Sequence, residues 1–144
     1  GCENIILPLD LEDETKQKVT YAIEYARYWN ASIRVVSFII GNNQEDKEKL
    51  IKNLHQVKNF IVNAGINCSS DLVEGDKNQN LGDFLFRYEK RFEADLFMIM
   101  TTKEDSLTNS ISDNARYIIN NSEVPVMSIR PKVSKYVTGS TTDF

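Results

Sequence analysis

Five short apolar runs recur along this chain, and the four stretches between them carry apolar residues three and four positions apart. That alternation limits the possible folds more than any other feature. The runs are Asn4 to Asp10 (NIILPLD), Ile33 to Ile40 (IRVVSFII), Asn67 to Glu74 (NCSSDLVE), Asp95 to Met100 (DLFMIM) and Val124 to Ile129. Near-continuous Ile, Leu and Val without period-two alternation is the pattern of a parallel strand buried on both faces. The third run is the most polar and is expected at a sheet edge. Between the runs, Val19, Ala22, Ile23, Ala26 and Trp29 mark one amphipathic helix, and Leu50, Leu54, Val57 and Ile61 a second, closed by Gly65. A third follows on Leu81, Phe84, Leu85, Tyr88 and Phe92, with Arg87, Lys90 and Arg91 facing out. Ile111, Ala115, Ile118 and Ile119 give the fourth.

Strand and helix taken in turn, with short connections, imply right-handed crossovers and an α/β fold. Its core is a five-stranded parallel sheet, doubly wound and Rossmann-like, with helices on both faces. At 144 residues the chain has room for one such domain. We place that domain at residues 2–132 and a polar tail at 133–144. Gly1 is read as a cloning remnant, and with Cys2 directly behind it the chain is expected to be a segment of a longer protein, such as one half of a tandem pair.

In a sheet of this kind ligands bind at the carboxyl ends of the strands, where the winding reverses. The residues placed there are Asp10, Ile39 to Asn42, Glu74 to Asp76, Thr101 to Lys103, and Arg130 to Lys132. Asp10 ends a buried strand, where a carboxylate would either bind a ribose hydroxyl, an amine or a magnesium-bound water, or cap the following helix. No GxGxxG and no GxxxxGK[ST] occurs, so neither a dinucleotide fingerprint nor a P-loop is present. His55 is the only histidine and falls mid-helix among lysines, which argues against a Ser-His-Asp triad or a histidine metal site. The row Lys47, Lys49, Lys52 and Lys58 reads as a solvated outer face.

Seventeen basic against twenty-one acidic side chains leave a net charge of −4, which argues against a dedicated nucleic-acid surface. The apolar runs are too short for a membrane helix, and no secretory signal is legible. Cys2 and Cys68 form no CxxC pair. Cys68 is read as a half-buried strand residue, and the cytoplasm as the natural compartment.

Four segments resemble the universal stress protein family: NIILPLD; the helix and strand from Ala22 to Ile39; VEGD (Val73 to Asp76); and ADLFMIM with VPVMSIRP (Ala94 to Met100, Val124 to Pro131). The resemblance covers about residues 4–131. It implies the strand order 3-2-1-4-5 and, in many members, a homodimer through the last strand, here Val124 to Ile129. It also implies an adenine-nucleotide (AMP or ATP) site with Pro8, Leu9 and Asp10 on the nucleoside side and Phe38 and Ile39 on the adenine side. Family members that bind ATP hold its phosphates with G-x-x-G, nine residues, then G-[ST]. This chain departs there: Met100, Lys103 and Ser112-Asp113 occupy those places, and no glycine lies between Gly82 and Gly139. Thr101, Thr102, Ser110 and Ser112 offer hydroxyls, but Asp113 would set a negative charge beside the phosphates. The expectation is therefore a non-enzymatic stress-response module without tight ATP binding, acting through dimerisation or a protein partner. The alternatives are an AMP- or ATP-binding member, and a receiver-like phosphoacceptor built on Asp10, Glu12, Asp76, Thr101 or Thr102, and Lys132.

Overall fold

The structure is a computed structural model that describes residues 2–9, 16–78, 80–100 and 115–129. The chain runs β1 (Asn4–Leu9), α1 (Lys16–Trp29), β2 (Ser32–Ile40), α2 (Gln44–Asn63), β3 (Cys68–Gly75), α3 (Leu81–Arg91), β4 (Leu96–Met100), α4 (Ala115–Asn121) and β5 (Val126–Ile129). All four ladders are parallel, and the strand order is β3-β2-β1-β4-β5. The alternation read from the sequence is thus the observed architecture.

The pleat sends alternate side chains of each strand to opposite faces. Ile5, Leu7 and Leu9 of β1 join Ile33 and Val35 of β2 in a cluster with Val19, Ala22, Ile23 and Ala26 of α1 and Leu54, Val57 and Ile61 of α2. Ile6 and Val36 point the other way and pack with Leu85 and Tyr88 of α3, Phe97 of β4 and Ile118 of α4. The sheet is therefore wound in both directions from β1, with α1 and α2 on one face and α3 and α4 on the other. Leu7 within β1 and Leu9 at its carboxyl end are both fully buried.

Three helices stop the same way. Gly65, at φ +86°, follows α2, donating its N–H to the Val62 carbonyl while Ile66 donates to Ile61, the paired bonds of a Schellman cap. Asn30 after α1 (φ 55°) and Glu93 after α3 (φ 49°) take the glycine-like position, with Ala31 donating to Ala26 and Ala94 to Glu89. Asn30 tolerates this backbone because its short side chain bonds locally, whereas a glutamate there is uncommon.

Element boundaries shift from the expected ones for local reasons. β5 begins at Val126 rather than Val124, because the Ser122 hydroxyl bonds both the N–H and the carbonyl of Val124 in a turn, and Pro125 has no N–H to give. Asp95 precedes β4 and accepts the N–H groups of Glu3 and Asn4 on its Oδ2, both at 2.9 Å, tying the start of β1 to the start of β4. The fourth helix is described from Ala115; Ile111 and the 133–144 tail lie outside the described residues.

Gly75 ends β3 where Phe84 of α3 presses on the sheet. A Cβ at Gly75 would lie 1.8 Å from Phe84 Cζ. Gly75→Ala is expected to cost about 1–3 kcal/mol as an overpacked site, and less in a Phe84→Leu background. Urea unfolding of the two single variants and the double variant would test this; strictly additive losses would show that the ring and the glycine do not constrain each other.

Candidate functional site

The carboxyl ends of β1 and β2 lie side by side, with Pro8 opposite Val36 and Leu9 opposite Ser37. Of the residues expected there, Pro8, Leu9 and Ile39 are buried, and Phe38 is half-buried. Their side chains serve packing. Leu9 belongs to the cluster under α1 and α2, while the Phe38 ring meets Phe84 at 5.7 Å and Tyr88 at 6.3 Å on the α3 face. What these positions offer a ligand is strand-end backbone. Asp10, Thr101, Thr102, Ser112 and Asp113 lie outside the described residues, as do Glu12, Ser110 and Lys132.

Ser37 is a residue that reading by motif did not select. It is fully buried, and its Oγ has no hydrogen-bond partner. By strand parity it shares the α1/α2 face with Val35, one rung from the end of β1. A buried hydroxyl without a partner costs about 1–3 kcal/mol relative to a satisfied one. The only signal for it in the sequence was that Ser37 interrupts an otherwise apolar strand.

Farther along the same edge, Gly41 and Asn42 after β2 and Glu74 to Lys77 after β3 border an open cleft of about 450 Å³. The Gly41 N–H reaches the Gly75 carbonyl at 3.4 Å. Lys47 departs from the expected solvated face of α2, because it is half-buried and ion-paired with Glu74 across this cleft. Lys49 pairs with Glu45 at 3.5 Å on the exposed helix surface, and His55 is exposed, as read. Cys68 is half-buried, and burial pushes its thiol up to about 11, so it is a poor nucleophile at neutral pH.

The strand order overturns the receiver-like alternative. That arrangement needs the third strand next to the first, so that its aspartate meets the acidic residues after the first strand. Here β2 separates β3 from β1, and Asp76 follows an edge strand.

Neither a protein-family model nor a curated protein sequence matches the chain. Solved structures do. A universal stress protein from Archaeoglobus fulgidus in complex with dAMP is similar over 88% of this chain and 96% of its own, with a TM-score of 0.68 and 17% identity. A universal stress protein from Lactobacillus plantarum is similar over 89% and 97%, at 0.69 and 16%. The fold is that of universal stress proteins. A family protein of that name from Arabidopsis thaliana, with AMP bound, extends the likeness to 99% of both chains at a TM-score of 0.58 and 15% identity. The order 3-2-1-4-5 implied by the resemblance of the four segments is the observed one. No helix among the described residues is long and apolar enough to cross a membrane.

Because its hydroxyl is unpaired in the ligand-free chain, Ser37→Ala is expected to leave stability unchanged or raise it by about 1 kcal/mol. Thermal unfolding reads this; a loss above about 1 kcal/mol would mean that the hydroxyl is bonded after all.

Proposed function

We propose that this chain is a universal stress protein that works as a non-enzymatic stress-response module, through a second copy of itself or a protein partner, without tight ATP binding. The observation that carries this reading is the absence of glycine from Asp83 to Thr138, a span that includes the stretch after β4 where the fold's ATP-binding members place their phosphate loop. Glycine there lets backbone N–H groups approach the phosphates. In the sequence Met100, Lys103 and Ser112 stand at the glycine positions of that pattern, and Asp113 is an acidic residue where the pattern has Ser or Thr. The two free thiols suit a reducing compartment such as the cytoplasm, and the net charge of −4 suits a chain that does not bind nucleic acid.

A second reading, an adenine-nucleotide-binding member, is favoured by the buried, unpaired hydroxyl of Ser37 beside the end of β1 and by the dAMP and AMP in the structures of similar fold. Calorimetric titration with ATP and magnesium, and separately with AMP, discriminates the two. The first reading expects dissociation constants weaker than about 10 μM, roughly −7 kcal/mol. Tighter binding of either nucleotide would overturn it and support the second.

The homodimer is proposed through β5, which stands last in the strand order of the described residues and carries half-buried Val126 and Met127. The last strand of a sheet is where a second copy of the chain can extend it. Sedimentation at micromolar concentration is expected to return twice the 16.5 kDa chain mass; a monomer would reject pairing through β5.

A further inference from the structure

The crossover from β3 to β4 carries α3 over β2 and β1 and brings it to the border of β3, where Phe84 meets Gly75 and the Tyr88 hydroxyl reaches Asp71, so the α3-side face of β3 is only partly covered. That face is Ser69, Asp71 and Val73, each half-buried, in register with Arg34, Val36 and Phe38 of β2. Along its border runs one side of α3: Phe84, Arg87, Tyr88, Arg91 and Phe92, spaced i, i+3, i+4, i+7 and i+8. The opposite side of α3 turns to α4, where Phe86 meets Tyr117 at 6.0 Å. The result is a shallow groove with a strand for its floor and arginines for its wall.

Three guanidiniums are held over aromatic rings in this groove. Arg34 lies 3.8 Å from the Phe92 ring centroid, Arg91 lies 5.3 Å from the same ring, and Arg87 lies 5.1 Å from Phe84. Arg87 and Arg91 are exposed. Among the described residues none of the three is ion-paired with a carboxylate. The one acidic group on the floor, Asp71, accepts the Tyr88 hydroxyl at 3.3 Å and is engaged in that bond. A cavity of about 70 Å³ opens beside Arg34 and Phe92, bordered by Ser32 and Ser69. A stacked guanidinium keeps its N–H fork free in the ring plane and has lost little freedom still to be lost on binding.

We propose that this groove binds an extended acidic segment of a partner protein. Alternate side chains of an extended peptide fall on one side about 6.6 Å apart. The backbones of Arg87 and Arg91 differ by about 6 Å of helical rise and the positions of the rings under their guanidiniums, Phe84 and Phe92, by about 12 Å, an interval covered by carboxylates two to four positions apart. Carboxylates at that spacing meet both arginines in bidentate pairs. The length of the ligand follows from the net charge of −4. With a screening length of about 8 Å at physiological salt, a short acidic segment senses the patch alone, whereas a long polyanion such as a nucleic acid runs beyond it onto the acidic remainder of the surface. The proposal rests on the reading that this chain works through a protein partner, and its site is distinct from the nucleotide crevice and from β5, so its failure leaves the nucleotide and mass measurements intact.

The test uses fluorescence anisotropy with the whole chain and a fluorescein-labelled octapeptide of alternating glutamate and serine. Its glutamine–serine counterpart and an oligothymidylate several times its length are the comparators. The glutamate peptide is expected to bind at least about tenfold more tightly than either. Arg87→Gln with Arg91→Gln is expected to remove that preference, while Lys49→Gln with Lys52→Gln, the same charge change on exposed positions of α2, is expected to keep it. Equal binding of the two peptides, an equal loss in the α2 variant, or tighter binding of the oligonucleotide would each overturn the proposal. Unchanged circular dichroism of the arginine variant separates loss of binding from loss of fold.

Discussion

β1 forms ladders with β2 on one side and β4 on the other, and helices roof both of its faces, so its run from Ile5 to Leu9 sits where every layer of the molecule meets. A strand in that position exposes no backbone hydrogen-bonding group, and each large aliphatic side chain it buries is worth roughly 1.5–3 kcal/mol. A slip of one residue would send Ile5, Leu7 and Leu9 to the α3 face and Ile6 and Pro8 to the α1 face, breaking both clusters at once. Asp95 guards against that slip by holding the N–H groups of Glu3 and Asn4. The register of β1 in turn decides what stands at the carboxyl edge: Leu9 beside Ser37, and the cleft from Gly41 to Lys77 farther along.

The two faces of the sheet are packed by different chemistry. Under α1 and α2 the contacts are aliphatic, and helix and sheet meet through small residues such as Ala22 and Ala26. Under α3 the contacts are aromatic, with Phe84, Phe38, Tyr88 and Phe92 in one run of ring contacts and Phe97, Phe86 and Tyr117 in another. Rings are bulky, and they fit against the sheet only where it gives way, as it does at Gly75. They also supply the faces on which Arg34, Arg87 and Arg91 lie. The aromatic packing of α3 and the cationic character of the groove beside it therefore have one origin.

Much of this architecture was legible because burial on both faces leaves a signature that water cannot disguise. The strands, the helices, the edge position of the polar third strand and the closing role of Gly65 all followed from residue type and spacing. The caps at Asn30 and Glu93 were less legible, since neither residue demands a left-handed backbone; the packing of the next strand imposes it. Lys47 read as one more solvated lysine, because its partner Glu74 is distant in sequence and meets it only once α2 lies against β3. Ser37 carried only a faint signal, since a serine in a strand is informative only when its hydroxyl is known to be buried and unpaired.

The sequence by itself determined the class of fold, the two-sided burial of the central strands and the lack of glycine where a phosphate loop would stand, because these depend on local periodicity and composition. Residue type and spacing left open which strands are neighbours, an order that only the family resemblance supplied, and tertiary structure alone decided which charges meet. Strand order removed the receiver-like reading by setting β2 between β1 and Asp76, and the path of α3 along the border of β3 set three stacked arginines beside that strand. Both outcomes follow from the direction of each crossover, a property of the whole sheet that no window of residues encodes.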